Sequence, residues 1–215
     1  TYEEENNSSP NPSAVIVGDD IEYDWVIQHN GALQRTDYCF RMAYADGTAL
    51  SVYNNPPTIR TAGYSAIISR WLWYTDETNL TPTSSLALEN VAPSVVNDGE
   101  VLKLRVSLRE TNGANGTDVK FGVQFSQYAD FSDGGTFVTS TSSCVGTSTW
   151  CYADAAGTDN ATITTAVISD SGSCVAGVGG GCGTYNESAT ASSSMYHASL
   201  STKEFEFAIM QVAPR

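Results

Sequence analysis

A stretch with period-2 patterning occurs twice in this chain and sets what it can fold into. EYDWVIQH begins at Glu22 and EFEFAIMQ at Glu204. Tyr23, Trp25 and Ile27 in the first copy match Phe205, Phe207 and Ile209 in the second. Alternate residues of a strand share a face, so each copy presents three large apolar groups on one side. A second pair of blocks keeps nearly the same spacing: TYEEENN starts at Thr1 and TYNESAT at Thr184, so the two offsets are 183 and 182 residues. Self-similarity at a fixed period marks tandem-repeat architecture. The chain reads as one repeat of about 182 residues plus roughly 33 more, starting and stopping mid-repeat. The two copies differ in their downstream neighbours. After the first come YCFRMAYADGTALSVYNNPPTIRT, read as two further strands; after the second the sequence reaches Arg215.

The rest of the chain is equally β-patterned. In VLKLRVSLRE, Leu102, Leu104, Val106 and Leu108 alternate with Lys103, Arg105, Ser107 and Arg109. After the TNGANGT turn, DVKFGVQFSQY places Val119, Phe121, Val123 and Phe125 opposite Lys120, Gly122, Gln124 and Ser126. These read as paired strands with one buried and one wet face. Trp71 and Trp73 alternate with Leu72 and Tyr74 in a strand before them, and LTPTSSLALENVAPS reads as a proline-broken edge. GTFVTS and ATITTAVIS read as shorter strands. Tyr38, Phe40, Met42 and Tyr44 share one face of a strand running into Asp46-Gly47, a tight hairpin signal. Its return strand ends at Asn54-Asn55-Pro56-Pro57, since proline cannot continue a sheet interior. Residues 1–20 read as an extended arm. Sustained 3.6-residue periodicity is missing, so the expected class is all-β with little helix.

The net charge of −14 and only ten dispersed cations exclude a basic nucleic-acid footprint. Copies of the chain should repel one another, making self-assembly sensitive to salt or divalent cations. No apolar run approaches a membrane helix. TYEEENNSS carries neither a signal-peptide nor a pilin-type anchor pattern, which suggests a removed leader or an origin within a longer chain. The acceptor pattern N-x-S/T recurs at Asn6, Asn7, Asn79, Asn115, Asn160 and Asn186, as in a glycosylated surface protein. Five cysteines leave an odd one. Cys144 and Cys151, and Cys174 and Cys182, have spacings that fit no zinc motif, so disulfides outside the cell are the better reading, with the pairing open. Cys39 is left over, as a free thiol or a link to a neighbour.

RWLWYTDETNLTPTSSLALENVAP, VLKLRVSLRE, VKFGVQFSQY, the TYNES block, the EFEF strand and a YCFR strand with its DGT turn resemble a repeat of large uncharacterised bacterial and archaeal surface proteins. That resemblance implies immunoglobulin-like or fibronectin type III-like sandwiches in tandem on the cell surface. In that pattern a YCFR-type hairpin comes after the EFEF strand within one domain, whereas here it comes only after the first copy.

Catalytic readings are weak. His29 and His197 lie beside no nucleophile-elbow pattern. Glu204 and Glu206 alternate with buried aromatics and read as a solvent face rather than a glycosidase pair. Trp71 and Trp73 could stack on a sugar. Glu3-Glu4-Glu5, Asp19-Asp20 and Asp130-Asp133 could hold calcium but match no known loop spacing. An internal isopeptide bond would need Lys103, Lys120 or Lys203 buried beside an acid, and Lys103 and Lys120 both alternate outward.

The sequence thus predicts a non-enzymatic, extracellular subunit without a bound cofactor. Residues 63–215 would form an immunoglobulin-like sandwich lacking its final hairpin. Residues 1–62 would provide an arm and the strands that complete a neighbour. Subunits would join head-to-tail by strand complementation, with Tyr23, Trp25, Ile27, Tyr38, Phe40, Met42 and Tyr44 at the junction. The alternatives are a segment of a continuous tandem-repeat adhesin or stalk, and a carbohydrate-binding module.

Overall fold

The computed structural model describes residues 16–44, 46–77, 81–140, 150–171, 182–188, 192 and 194–212, and the backbone alone of residues 2–4 and 7–8. The chain divides into two compact units, Thr1–Thr61 and Ala62–Arg215. Among the described residues there is no helix, and the pairing is overwhelmingly antiparallel: the fold is all-β.

The first unit holds β1 (Tyr2–Glu4), β2 (Asn7–Ser8), β3 (Asp24–Trp25), β4 (Asp37–Cys39) and β5 (Thr58–Arg60). β1 pairs antiparallel with β2 and parallel with β3, while β4 pairs antiparallel with β5. The Asp46-Gly47 turn forms: Tyr44 N donates to Thr48 O at 2.8 Å, and Gly47 adopts φ +85°, which glycine tolerates without strain. The expected strand from Tyr38 to Tyr44 is nonetheless cut short after Cys39. Pro56 and Pro57 have no N–H to donate, so after the Ala43–Ala49 bridge beside the turn the backbone pairing resumes at Pro57 O and Thr58. Tyr53 pins the gap, accepting from Leu50 N and donating to Met42 O, with Arg41 stacked 5.7 Å over its ring.

In chain order the second unit contributes β6 (Ala66–Thr75), β7 (Val101–Glu110), β8 (Gly116–Val119), β9 (Gln124–Phe125), β10 (Thr136–Phe137), β11 (Trp150–Tyr152), β12 (Tyr185–Asn186), β13 (Met195–His197) and β14 (Thr202–Gln211). Its centre is an antiparallel sheet of the three ten-residue strands, in the order β6-β7-β14. Beyond β14 the sheet is completed in two short pieces, β11 antiparallel and β12 parallel. The register sets Phe205 opposite Val106 and Phe207 opposite Leu104, with Trp71 and Trp73 beyond them on β6. Val106, Leu108, Phe205, Phe207 and Ile209 therefore share one face, where they pack on Val138 and Tyr152. Phe205 stacks with Phe207 at 6.4 Å and meets Phe121 edge-on at 5.1 Å. Burying each such side chain contributes on the order of 1.5–3 kcal/mol.

Two expectations fail here. The segment after the TNGANGT turn does not pair with β7, whose edges belong to β6 and β14. Asp118 takes φ +54°, β8 pairs with β13, and the continuation through Phe121, Val123 and Phe125 packs over the apolar face as its cover. The second failure is the supposedly wet face. Lys103, Arg105, Ser107, Glu204 and Glu206 are all fully buried. Residues 153–170 cross over them: Ala153 N donates to Ala208 O at 3.0 Å, and Val167 N and Ile168 N donate to the Glu204 carboxylate.

A candidate assembly surface and a buried charge layer

The duplicated strand exists in two states. As β14, the second copy is a ten-residue central strand with Phe205, Phe207 and Ile209 at 0%, 2% and 4% exposure. The first copy is reduced to the two residues of β3, with Trp25 at 54% and Ile27 at 61% exposure. Tyr23 is half-buried and tilts toward Trp25 at 6.5 Å. A strand extends only where a neighbour accepts its hydrogen bonds, and among the described residues the first copy has β1 alone beside it. Phe40, Met42 and Tyr44 are exposed, and Tyr38, on β4, is half-buried with its hydroxyl accepting from Leu33 N at 2.8 Å. Not one described residue from 16 to 61 is buried. Among its described residues the first unit therefore carries strand-forming segments without a sealed core.

In the second unit the outer edge of β6 is covered along its second half only. Leu86 N and Asn90 N donate to Trp73 O and Trp71 O, both at 2.9 Å. From Ala66 to Ser69 that edge has no strand partner among the described residues, and Ile67 and Ile68 are exposed. On the apolar face Trp71, Trp73, Leu104, Phe125 and Trp150 pack against the core yet stay only part-buried. Trp71 and Trp73 thus spend much of their surface on the core.

Arg105 is the centre of the buried charge layer. Its Nε donates to Glu204 Oε2 at 2.7 Å, Nη1 to Glu206 Oε2 at 2.9 Å and Nη2 to Thr165 O at 2.7 Å. Burial pushes the Glu206 carboxyl up despite the nearby Arg105 and Lys103 cations, and its Oε1 has no hydrogen-bond partner among the described residues. Ser107 Oγ donates to Asp170 Oδ1 at 2.8 Å. Lys103 lies beneath the roof with Nζ 3.5 Å from Asp76 Oδ1 and 5.2 Å from the Tyr185 ring centroid. The outward reading of Lys103, Glu204 and Glu206 is therefore corrected; Lys120 is exposed as expected.

A second polar node closes one end of the sheet. The buried Glu110 carboxylate accepts from Ser65, Asn112, Gly113 and Leu200 backbone N–H groups at 2.9–3.2 Å. Burial opposes its charge, but these backbone donors win and hold it down to about 2. His197 is buried with Nδ1 2.7 Å from the Tyr64 hydroxyl and Nε2 3.0 Å from Ser201 O. A carbonyl accepts only, so Nε2 carries the proton and Nδ1 accepts from Tyr64. Burial keeps the imidazole below its ordinary value and, with Glu110, pushes Tyr64 up to about 12. Both nitrogens are satisfied. His29 is exposed, 3.2 Å from Ala32 O.

The remaining candidates separate. Cys39 is free and exposed on β4. Cys151 and Cys182 are disulfide-bonded, and Cys144 and Cys174 lie outside the described residues, as do Asn6 and Asn79. Asn7 sits on β2; Asn115 is exposed and accepts from Ser199 N; Asn160 is exposed and donates to Asp159. Asn186 must be struck from the glycan acceptors. It is fully buried, its amide donating to Thr184 O and Glu206 O, which leaves no room for a sugar. Asp130 and Asp133 cap their own turn through Ser132 N and Gly135 N. No group of three or more metal-binding side chains stands together among the described residues. No described helix is long and apolar enough to cross a membrane. Comparison of the chain with family models, with curated proteins and with solved structures finds no match.

Proposed function

We propose that this chain is a non-enzymatic structural subunit of an extracellular filament or cell-surface array, joined head-to-tail by β-strand complementation. The unequal fate of the duplicated strand carries this reading: one copy is buried at the heart of a sheet, while the other, with the hairpin after it, has strand-forming apolar residues and no buried one among the described residues. The hairpin of one copy would add to the open edge of β6 in the next, along Ala66–Ser69. Alternate side chains, Phe40 and Met42 among them, would then cover the part-exposed face beside Trp71 and Trp73. Each apolar side chain so buried contributes about 1.5–3 kcal/mol before the costs of ordering. A contact between unlike surfaces propagates instead of closing. The disulfide-bonded Cys151 and Cys182 support an oxidising compartment.

Size-exclusion chromatography with light scattering, at rising protein and salt concentration, tests it. The wild-type chain should move to larger species, and more readily in salt, because the charge of −14 opposes association. Phe40→Asp with Met42→Asp should remain monomeric with an unchanged far-ultraviolet spectrum. A wild-type chain monomeric under all these conditions would sink the proposal. The duplication itself favours a second reading, in which the same contacts join successive repeats of one polypeptide. Mass spectrometry of native material tells the two apart, since only the second yields peptides running past Thr1 or Arg215.

A further inference from the structure

We propose that Lys103 and Asp76 condense into an intramolecular isopeptide bond that staples β6 to β7. Lys103 pairs with Tyr74 across the two strands, so Asp76, two residues further on, projects from the same face. The Lys103 side chain is fully buried, with Nζ 3.5 Å from Asp76 Oδ1. The backbone of one residue, Ala156, clamps both partners. Ala156 O accepts from Lys103 Nζ at 2.6 Å, and Ala156 N donates to Asp76 Oδ1 at 3.1 Å. Glu77 O accepts a second hydrogen bond from Nζ, and the Tyr185 ring lies beside it. Nucleophile and electrophile are thus held together by backbone, which replaces a bimolecular encounter with a fixed approach.

The chemistry balances within the pair. Moving one proton from the ammonium to the carboxylate turns the ion pair into an amine and an acid, the two groups that condense. The Nζ lone pair attacks Cγ, the C–N bond forms, and a C–O bond breaks. The departing oxygen leaves as water, carrying the acid's proton and one from the nitrogen. No oxidant or other reactant is required. Asp76 keeps a side-chain exposure of 31%, which gives the water a way out.

Intact mass of the full, reduced and denatured chain tests this without reference to assembly. The wild type is expected to be lighter than its sequence by one water. Lys103 and Asp76 fall between the same two neighbouring arginines, Arg70 and Arg105. Trypsin should therefore fail to cut after Lys103 and release residues 71–105 as one peptide, also lighter by one water. Lys103→Arg and Asp76→Ala should each restore the full mass. A wild-type chain of full mass overturns the proposal. So does a lost water that persists in Lys103→Arg, because dehydration at Asp98-Gly99 would then be its source.

Discussion

Replacing Arg105 by methionine isolates the buried charge layer. The guanidinium makes charge-assisted hydrogen bonds to Glu204, Glu206 and Thr165 O with no exposure to water. Without it Glu204 keeps its Val167 and Ile168 N–H donors, but Glu206 loses the partner of Oε2 while Oε1 already has none among the described residues. Removing one side of a buried pair costs about 3–5 kcal/mol, against a typical total stability of roughly 5–15 kcal/mol. Removing both sides costs far less, so Arg105→Met with Glu206→Leu should recover at least half of the loss. The single variant should also be pH-dependent. Glu206 is raised above its unfolded value, so between the two values the folded state binds more protons and stability falls as pH rises. Urea unfolding followed by tryptophan fluorescence at pH 5 and pH 8 reads all three effects, with unchanged m-values as the control. A loss under about 1 kcal/mol for Arg105→Met would refute the buried layer, since that is the cost of an ordinary substitution.

Glu110→Ala strands several backbone donors in a buried site and should cost about 2–4 kcal/mol by the same assay. Glu110 is depressed to about 2, so the unfolded state binds the extra proton below about 4.5; stability should erode as pH falls from there, and Glu110→Gln should flatten that slope. Gly183→Ala would set a Cβ 2.5 Å from the Phe205 ring and 2.7 Å from Glu204 O, and should lower stability by about 1–3 kcal/mol in a thermal melt. Cys39, free and exposed, should take up one equivalent of a thiol reagent in the native chain at the rate of an unfolded thiol; protection in dilute solution would contradict its placement.

Much of the central sheet is legible from period-2 patterning. β6, β7 and β14 each fall on their alternating runs, and the Asp46-Gly47 turn is where its residues place it. Burial on both faces is not legible that way, because alternation with Lys, Arg and Glu imitates a solvent face. The one available sign lies across strands. The antiparallel register sets Arg105 opposite Glu206 and diagonal to Glu204, opposite charges that mark a pair once β7 and β14 are known to be neighbours. Their cover, residues 153–170, includes the ATITTAVIS stretch expected as a short strand; it forms only the Thr162–Thr184 bridge, because its backbone N–H groups go to a buried carboxylate rather than into a ladder. The strand through Val119 and Phe125 is misread for another reason. Its pattern is correct, but the left-handed Asp118 turns the chain out of the sheet that β7 belongs to. Asn186 shows the same limit: an acceptor motif says nothing about burial.

The central claim is that two near-copies of one strand differ only because one lacks its neighbour. Amide hydrogen exchange, measured on the full chain at low and high concentration, addresses that directly. Residues 202–211 should be strongly protected at both concentrations, whereas residues 23–27 and 38–44 should exchange rapidly when dilute and gain protection as larger species form. Full protection of residues 38–44 in dilute monomers, unchanged by concentration, would contradict it.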